Sequence, residues 1–313
     1  MKNFLIWIIP IFLISEAPFA WGFYAHSLIN RLAVFSLPEE MIGFYKPQVQ
    51  YITENAVNPD RRRYAVEGEA EKHYIDLDYY GDSALQILPK YWNEAVEKFT
   101  EDSLRLNGIG PWSAYFTFLN LTKAFEAKNS AAILRLSADL GHYLGDLNVP
   151  LHTTVNYNGQ LTNQVGIHGF WESRVPELQA KDYALWVGQA DYVEKPQLAI
   201  WDAVAAAHSQ VDSVLSIERE LTKSFSPDQK FSYEERNNLT VRVYSREFTE
   251  AYATALNSQI ERQMKKSIKM IADFWFTAWV NAGQPDLNSF SKELGEEEEI
   301  VKNSKIKTRE HDH

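Results

Sequence analysis

The chain has 313 residues, 45% hydrophobic and 23% charged, the proportions of a globular protein rather than a disordered or membrane-embedded one. It has no cysteine, which excludes disulfides and thiolate metal sites, so any metal must be held by His, Asp, Glu and backbone groups. A net charge of −11 provides no bulk attraction to a polyanion and counts mildly against a dedicated nucleic-acid binder.

At the N-terminus, Lys2 precedes an apolar run from Phe4 to Ile14, broken only by Pro10, with small residues following at Ala17 and Ala20. This is the pattern of an export signal. The run is shorter than the roughly 20 apolar residues a bilayer span needs, and no later segment approaches that length without charges. Cleavage is expected between Ala20 and Trp21, giving a soluble protein in the periplasm or outside the cell. Losing Lys2 and Glu16 with the signal leaves the net charge unchanged.

Helical patterns dominate the rest. Long loops are expected near Asn55 to Arg63 and Val155 to Gly166. A helix should begin near Pro111, a favoured first-turn residue, and run to about Ala127. Ala132 to Leu147 has a helical apolar period, and Pro150 forbids its extension. Ala199 to Phe225 and Tyr233 to Leu256 also read as helices. From Ile260, the residues Met264, Ile268, Ile271, Trp275 and Trp279 recur at spacings of three or four and mark one buried helix face. Alternating strand patterns with hairpin turns are scarce, so the fold class is all-α. Residues 287–313 carry the acidic block Glu296 to Glu299 and scattered Lys and Arg, with little that could pack, and read as a disordered tail. One domain over 21–286 is expected between the signal (1–20) and that tail.

The chain has eight histidines. His311 and His313 lie in the tail and read as solvated, and His208, in Ala-Ala-Ala-His-Ser, has no nearby motif and reads as structural. The other five lie beside matched carboxylates. His142 and Asp146 are four apart on a helix and project from one face. His152 follows Pro150, where the chain has turned back. His168 and Glu172 repeat the four-residue spacing. His73 stands in His-Tyr-Ile-Asp, and Asp60 lies upstream in Asn-Pro-Asp-Arg-Arg-Arg. Imidazole with carboxylate suits zinc, at about 2.0–2.2 Å. Any one such pair is more often a surface ion pair or a satisfied core group; the combination carries the signal.

Trp-Gly-Phe-Tyr-Ala-His at 21–26, Asp60, His73, His-x3-Asp-x5-His at 142–152 and His-x3-Glu at 168–172 occur in this order. This resembles the superfamily that joins bacterial zinc-dependent phospholipases C to the fungal single-strand nucleases S-one and P-one. The resemblance implies a bundle of long helices around three zinc ions. Asp60, His73, His142 and Asp146 would hold one zinc, and His152, His168 and Glu172 a second. The third would take His26, a bridging Asp146 and the free amino nitrogen and carbonyl of Trp21, which is why cleavage should precede that residue: an α-amine binds zinc where a peptide nitrogen does not. Zinc ions bridged by Asp146 lower the pKa of a shared water towards neutrality, the chemistry of in-line phosphodiester hydrolysis.

Among groups expected at the reaction, Asp60 and Asp146 act through the metal. Arg63, at a spacing where the nucleases carry a basic residue, could meet charge on the phosphate or be a solvated member of an arginine run. Asp76 matches a nuclease position near substrate, or could orient a histidine. The short Trp21-to-His26 spacing and Asp76 look like the nucleases; the 142–152 segment, Glu172 and the length of the His152-to-His168 loop look like the phospholipases. Acidic and aromatic choline-binding positions are not recognisable. Phe23, Tyr24, Tyr74, Tyr79, Tyr80, Phe170 and Trp171 could stack a base or cradle a head group, most of them reading as core. The expectation is a phospholipase C-type phosphodiesterase, with a single-strand nuclease as the alternative and a non-catalytic zinc-binding protein behind both. No protein partner is evident.

Overall fold

A computed structural model describes residues 22–236, 239–287 and 290. The centre of the fold is four helices that pack on one another: Gly22–Val34, Gly110–Glu126, Ser130–Asp146 and Gln259–Asn281. Each follows from its residues. Pro111 opens the second in its first turn, and the Asn129 side chain caps the third by accepting from the Ala132 N–H. In the fourth, Ile260, Met264, Ile268, Ile271, Trp275 and Trp279 are all buried, as their spacing predicts. Each fully buried member contributes roughly 1.5–3 kcal/mol. Trp275 stacks on Tyr45 with ring centres 5.2 Å apart and donates to the Ser137 carbonyl, which fastens this helix to Ser130–Asp146.

The single all-α domain is as expected, with three differences in detail besides the short helix Asn58–Arg62 inside the loop expected near Asn55 to Arg63. The stretch from Ala199 to Phe225 forms two helices, Pro196–His208 and Val211–Thr222. At the break, the side chains of Ser209 and Gln210 both donate to the Ala206 carbonyl, competing with the backbone for its helical acceptor. Tyr233 to Leu256 is not one helix. Its first half is an antiparallel hairpin, Phe231–Arg236 against Leu239–Tyr244, with Tyr233 opposite Arg242 and Glu234 opposite Val241; only Arg246–Ala255 is helical. β-Branched Thr240, Val241 and Val243 and aromatic Phe231 and Tyr233 favour a pleated surface, and exposure alternates along Tyr233, Glu234, Glu235 and Arg236.

The third difference lies at the C-terminal side. Leu287 and Phe290 are buried, with the Phe290 ring 6.1 Å from Phe44, so the packed body extends past residue 286. The export signal, Trp21, most of the charged tail, and His311 and His313 lie outside the described residues. Among the described residues, no helix is long and apolar enough to cross a membrane.

Candidate metal centre

Ser130–Asp146 supplies the floor of the site. His142 and Asp146 lie one turn apart on its last two turns and are fully buried. The Asp146 Oδ2 atom is 2.8 Å from His73 Nδ1 and 3.2 Å from His142 Nε2, while its Oδ1 faces His26 Nε2 at 3.2 Å. One carboxylate thus lies within 3.2 Å of three histidines, and His152 Nδ1 stands 3.8 Å from its Oδ1. Asp60, on the short Asn58–Arg62 helix, brings Oδ1 to 3.6 Å from His142 Nε2 and 3.7 Å from His73 Nδ1.

The remaining ligand candidates come from the turns after this helix. Pro150 starts the 3₁₀ turn Pro150–Thr153, which swings His152 back. The segments of His73 and His152 are held side by side, since the Ile75 N–H donates to the His152 carbonyl and His152 Nδ1 lies 2.7 Å from the His73 carbonyl. His168 sits in Ile167–Gly169 and Glu172 in the π-helical turn Phe170–Arg174. Pro176 has no N–H for the carbonyl four residues earlier, which releases this turn from α geometry. Glu172 Oε2 lies 2.7 Å from His168 Nε2 and 3.3 Å from His152 Nε2, and its Oε1 lies 3.2 Å from His26 Nε2.

Three groups therefore converge, each with ligand atoms within 4.8 Å of one another: His26, His142 and Asp146; Asp60, His73 and His142; His152, His168 and Glu172. Tetrahedral zinc with bonds of about 2.1 Å separates its ligand atoms by about 3.4 Å, and the observed separations bracket that distance. Tautomers agree as well. His142 Nδ1 is 2.8 Å from the Ala56 carbonyl and His152 Nδ1 lies against that of His73, so both donate outward and turn the Nε2 lone pair to the centre, as metal-binding histidines do. A buried lone pair facing a carboxylate needs a proton or a metal cation between the two. Burial works against charge on His142, yet Asp146 and Asp60 outweigh it and raise its pKa well above the ordinary value. Burial likewise pushes Asp146 up, but His142 and His152 carry it well below the carboxylate range. The donor set fits zinc.

No protein-family model and no curated protein matches the chain. Several solved structures are similar to the chain, two of them as follows. One is the alpha toxin from Clostridium absonum, 14% identical over 84% of this chain and 65% of that one, with a TM-score of 0.47. The other is the Clostridium perfringens alpha-toxin from avian strain SWCP, 12% identical over 87% of this chain and 66% of that one, TM-score 0.45. The chain spans about two thirds of their length.

Seven of the expected side-chain ligands, together with Asp146 as their centre, are brought together: His26, Asp60, His73, His142, His152, His168 and Glu172. Trp21 is not described, but a Cβ placed on Gly22 would lie 3.5 Å from Glu172 Oε1, so the Gly22–Val34 helix starts beside the cluster. The arginine run divides its labour. Arg62 pairs with Glu69 and Asp139 at 3.2 Å each, pinning Asn58–Arg62 to Ser130–Asp146; the Arg61 guanidinium covers the Phe23 ring; half-buried Arg63 forms no ion pair among the described residues. Burial, then Asp78, pushes Asp76 up to about 6, against a downward pull from His152, which places this carboxyl near the cluster. His208 is structural, its Nδ1 lying 3.0 Å from Thr153 Oγ1. Phe170 and Trp171 are core, whereas Tyr24 and Tyr79 are exposed.

Two supports were not anticipated. Gly141 and Gly145 flank the ligands of Ser130–Asp146 and admit the Gly22–Val34 helix at close range: a Cβ on Gly141 would meet Asn30 Oδ1 at 2.0 Å, and one on Gly145 would meet Ile29 Cδ1 at 2.8 Å and His26 Nδ1 at 3.1 Å. The His26 ring consequently stacks on His142, centroids 4.0 Å apart. The Gly-x3-Gly spacing was the available signal. The second support, the pair of backbone carbonyls at Ala56 and His73, leaves no mark on residue identity.

Proposed function

We propose that the chain is an exported zinc-dependent hydrolase of phosphate diesters, holding three zinc ions and acting as a phospholipase C-type enzyme. The observation that carries this reading is Asp146, whose two oxygens face His73 and His142 on one side and His26 on the other, as a carboxylate shared between metal sites would. Asp60, His73, His142 and Asp146 would hold one zinc; His152, His168 and Glu172 another; and His26, Asp146 and the amino terminus at Trp21 the third. Bound zinc would supply a water acidified towards neutral pH and Lewis-acid stabilisation of phosphate charge.

The chain's own groups do the rest. Asp146 and Glu172 hold the negative charge that keeps the cations together, and the outward N–H donors of His142 and His152 fix ring orientation. Arg63, which forms no ion pair among the described residues, would meet the phosphate anion. Asp76 would accept a hydrogen bond from the substrate or hold a proton on its carboxyl in mild acid. A single-strand nuclease is the second reading, favoured by Asp76 near the aromatic rings of Tyr74 and Tyr80, whose hydroxyl pKa values are raised first by burial and then by neighbouring groups that include Asp76; these could bind and stack a base. The test is a panel on zinc-loaded mature protein: phosphatidylcholine, phosphatidylethanolamine, single-stranded DNA, RNA and an aryl phosphodiester. Turnover of the lipids above the polynucleotides supports the first reading. Binding of zinc without turnover of any of them would leave a non-catalytic zinc protein.

A further inference from the structure

The chain from Val155 to Val165 leaves the cluster at His152 and returns to it at His168, and its side chains are arranged in reverse. The polar Asn156 and Gln164 are buried, whereas Val155, Tyr157, Leu161 and Val165 face outward, Leu161 at 70% exposure and Val165 at 62%. A loop built for water does the opposite, since burying an amide is costly without partners and exposing leucine gains nothing. Exposed apolar residues scattered over a surface are ordinary, but four on one short loop beside a site are a candidate binding feature.

The reversal is held in place by hydrogen bonds. Asn156 Oδ1 accepts from the Leu161 N–H at 2.8 Å and its Nδ2 donates to Thr162 Oγ1 at 3.1 Å. Gln164 Nε2 donates to the Leu215 carbonyl at 2.8 Å, and Asn158 Oδ1 accepts from the Gly166 N–H at 2.9 Å. The Gly159 backbone has φ +73°, and a Cβ there would strike the Gln164 carbonyl at 2.5 Å, so the tight turn needs glycine. The loop cannot fold its leucine and valines inward without breaking these bonds.

It borders the candidate site. The Tyr157 ring stands edge-on to His168 with centres 6.0 Å apart, and Arg63 and Tyr157 both lie within electrostatic reach of the Tyr74 hydroxyl. Residues 155–167 contain no charged side chain, so the loop itself offers no cation to a polynucleotide backbone. The net charge of −11 repels an anionic bilayer and is indifferent to a zwitterionic one.

Resting on the phosphodiesterase reading, we propose that the loop of Val155, Tyr157, Leu161 and Val165 inserts into the surface of a zwitterionic phospholipid bilayer and sets the mouth of the metal site against the head groups. Docking then delivers a phosphodiester that is already at the lipid–water boundary, near Arg63, which forms no ion pair among the described residues.

The test uses zinc-loaded mature protein and vesicles of phosphatidylcholine, with binding read by sedimentation at rising lipid concentration. Leu161→Glu with Val165→Glu should weaken partition onto vesicles by roughly tenfold or more, the scale of losing two inserted apolar side chains. Leu161→Met with Val165→Ile should bind as the parent does. Both variants should keep the parent's thermal midpoint and its rate on a soluble aryl phosphodiester, since neither residue is a proposed metal ligand. Equal partition of the parent and the glutamate variant would overturn the proposal, as would a parent that binds a single-stranded oligonucleotide but not vesicles. If the parent binds vesicles through this loop but never turns over the soluble diester, the docking surface stands and the reaction reading fails alone.

Discussion

At the scale of single residues, the site is organised by where charge is buried. Asp146 is enclosed by three imidazoles, and its replacement by asparagine keeps the shape while removing the charge that draws cations together. Activity of Asp146→Asn should fall beyond the 10–100-fold typical of a group standing behind the ligands, and zinc content should drop for more than one site. Glu172→Gln should lower zinc content by about one ion, because its contacts centre on His152 and His168. Near-parental turnover and metal content in Asp146→Asn would remove the case for a shared carboxylate.

Asp76 gives a prediction in pH. Its carboxyl, pushed up by burial and Asp78 to about 6, ionises later in the folded chain than in the unfolded one, where about 3.9 is usual. Its contribution to stability is therefore full below pH 3.9 and is lost as pH rises through about 6. Asp76→Asn does not titrate. The thermal midpoint of the variant relative to the parent should climb between about pH 4 and pH 6 and level off above. A difference independent of pH would show that Asp76 is not held in this environment.

At the scale of elements, the contact between Gly22–Val34 and Ser130–Asp146 depends on two glycines that lower intrinsic helix stability. Alanine at Gly141 would gain about 1 kcal/mol of helix propensity, yet its Cβ would overlap Asn30 Oδ1 at 2.0 Å. Overpacking of this kind costs about 1–3 kcal/mol, so Gly141→Ala should be destabilising by calorimetry and should loosen His26. Adding Asn30→Ala should recover part of the loss, since the two residues touch; additive losses would place the strain elsewhere.

The start of Gly22–Val34 beside Glu172 makes the amino terminus testable too. Protein beginning at Trp21 should bind one more zinc than the same chain carrying an extra N-terminal Met, in which the Trp21 nitrogen is an amide. Identical zinc content and phosphodiesterase rate would leave no role for the terminus.

For the whole molecule, the centre joins segments that the chain separates widely: His26, Asp60, His73, His142 and Glu172 meet only in the folded state. A metal that binds the folded chain alone stabilises it by about 4 kcal/mol per site at roughly a thousandfold excess over its dissociation constant. Removing metal with a chelator should lower the thermal midpoint by several degrees and zinc should restore it. An unchanged midpoint would mean that no metal crosslinks the helices.

Much of this was legible in residue order. A 3.6-residue period with caps and prolines is a local property, which is why Gly110–Glu126, Ser130–Asp146 and Gln259–Asn281 fall within a residue or two of expectation. The four-residue His–Asp and His–Glu spacings work the same way, because one helical turn places both side chains on one face. The hairpin at Phe231–Tyr244 was missed, since short apolar alternation over six residues competes weakly with helical composition on either side. What the tertiary structure alone decided is how the pairs meet: which carboxylate lies between three histidines, that Arg62 rather than Arg63 is tied into the network of Glu69 and Asp139, that Leu287 and Phe290 still belong to the core, and that an ordinary-looking uncharged loop turns its amides in and its leucine out. These are distances between residues far apart in sequence, set by close packing of helices across Gly141 and Gly145, and no local pattern encodes them.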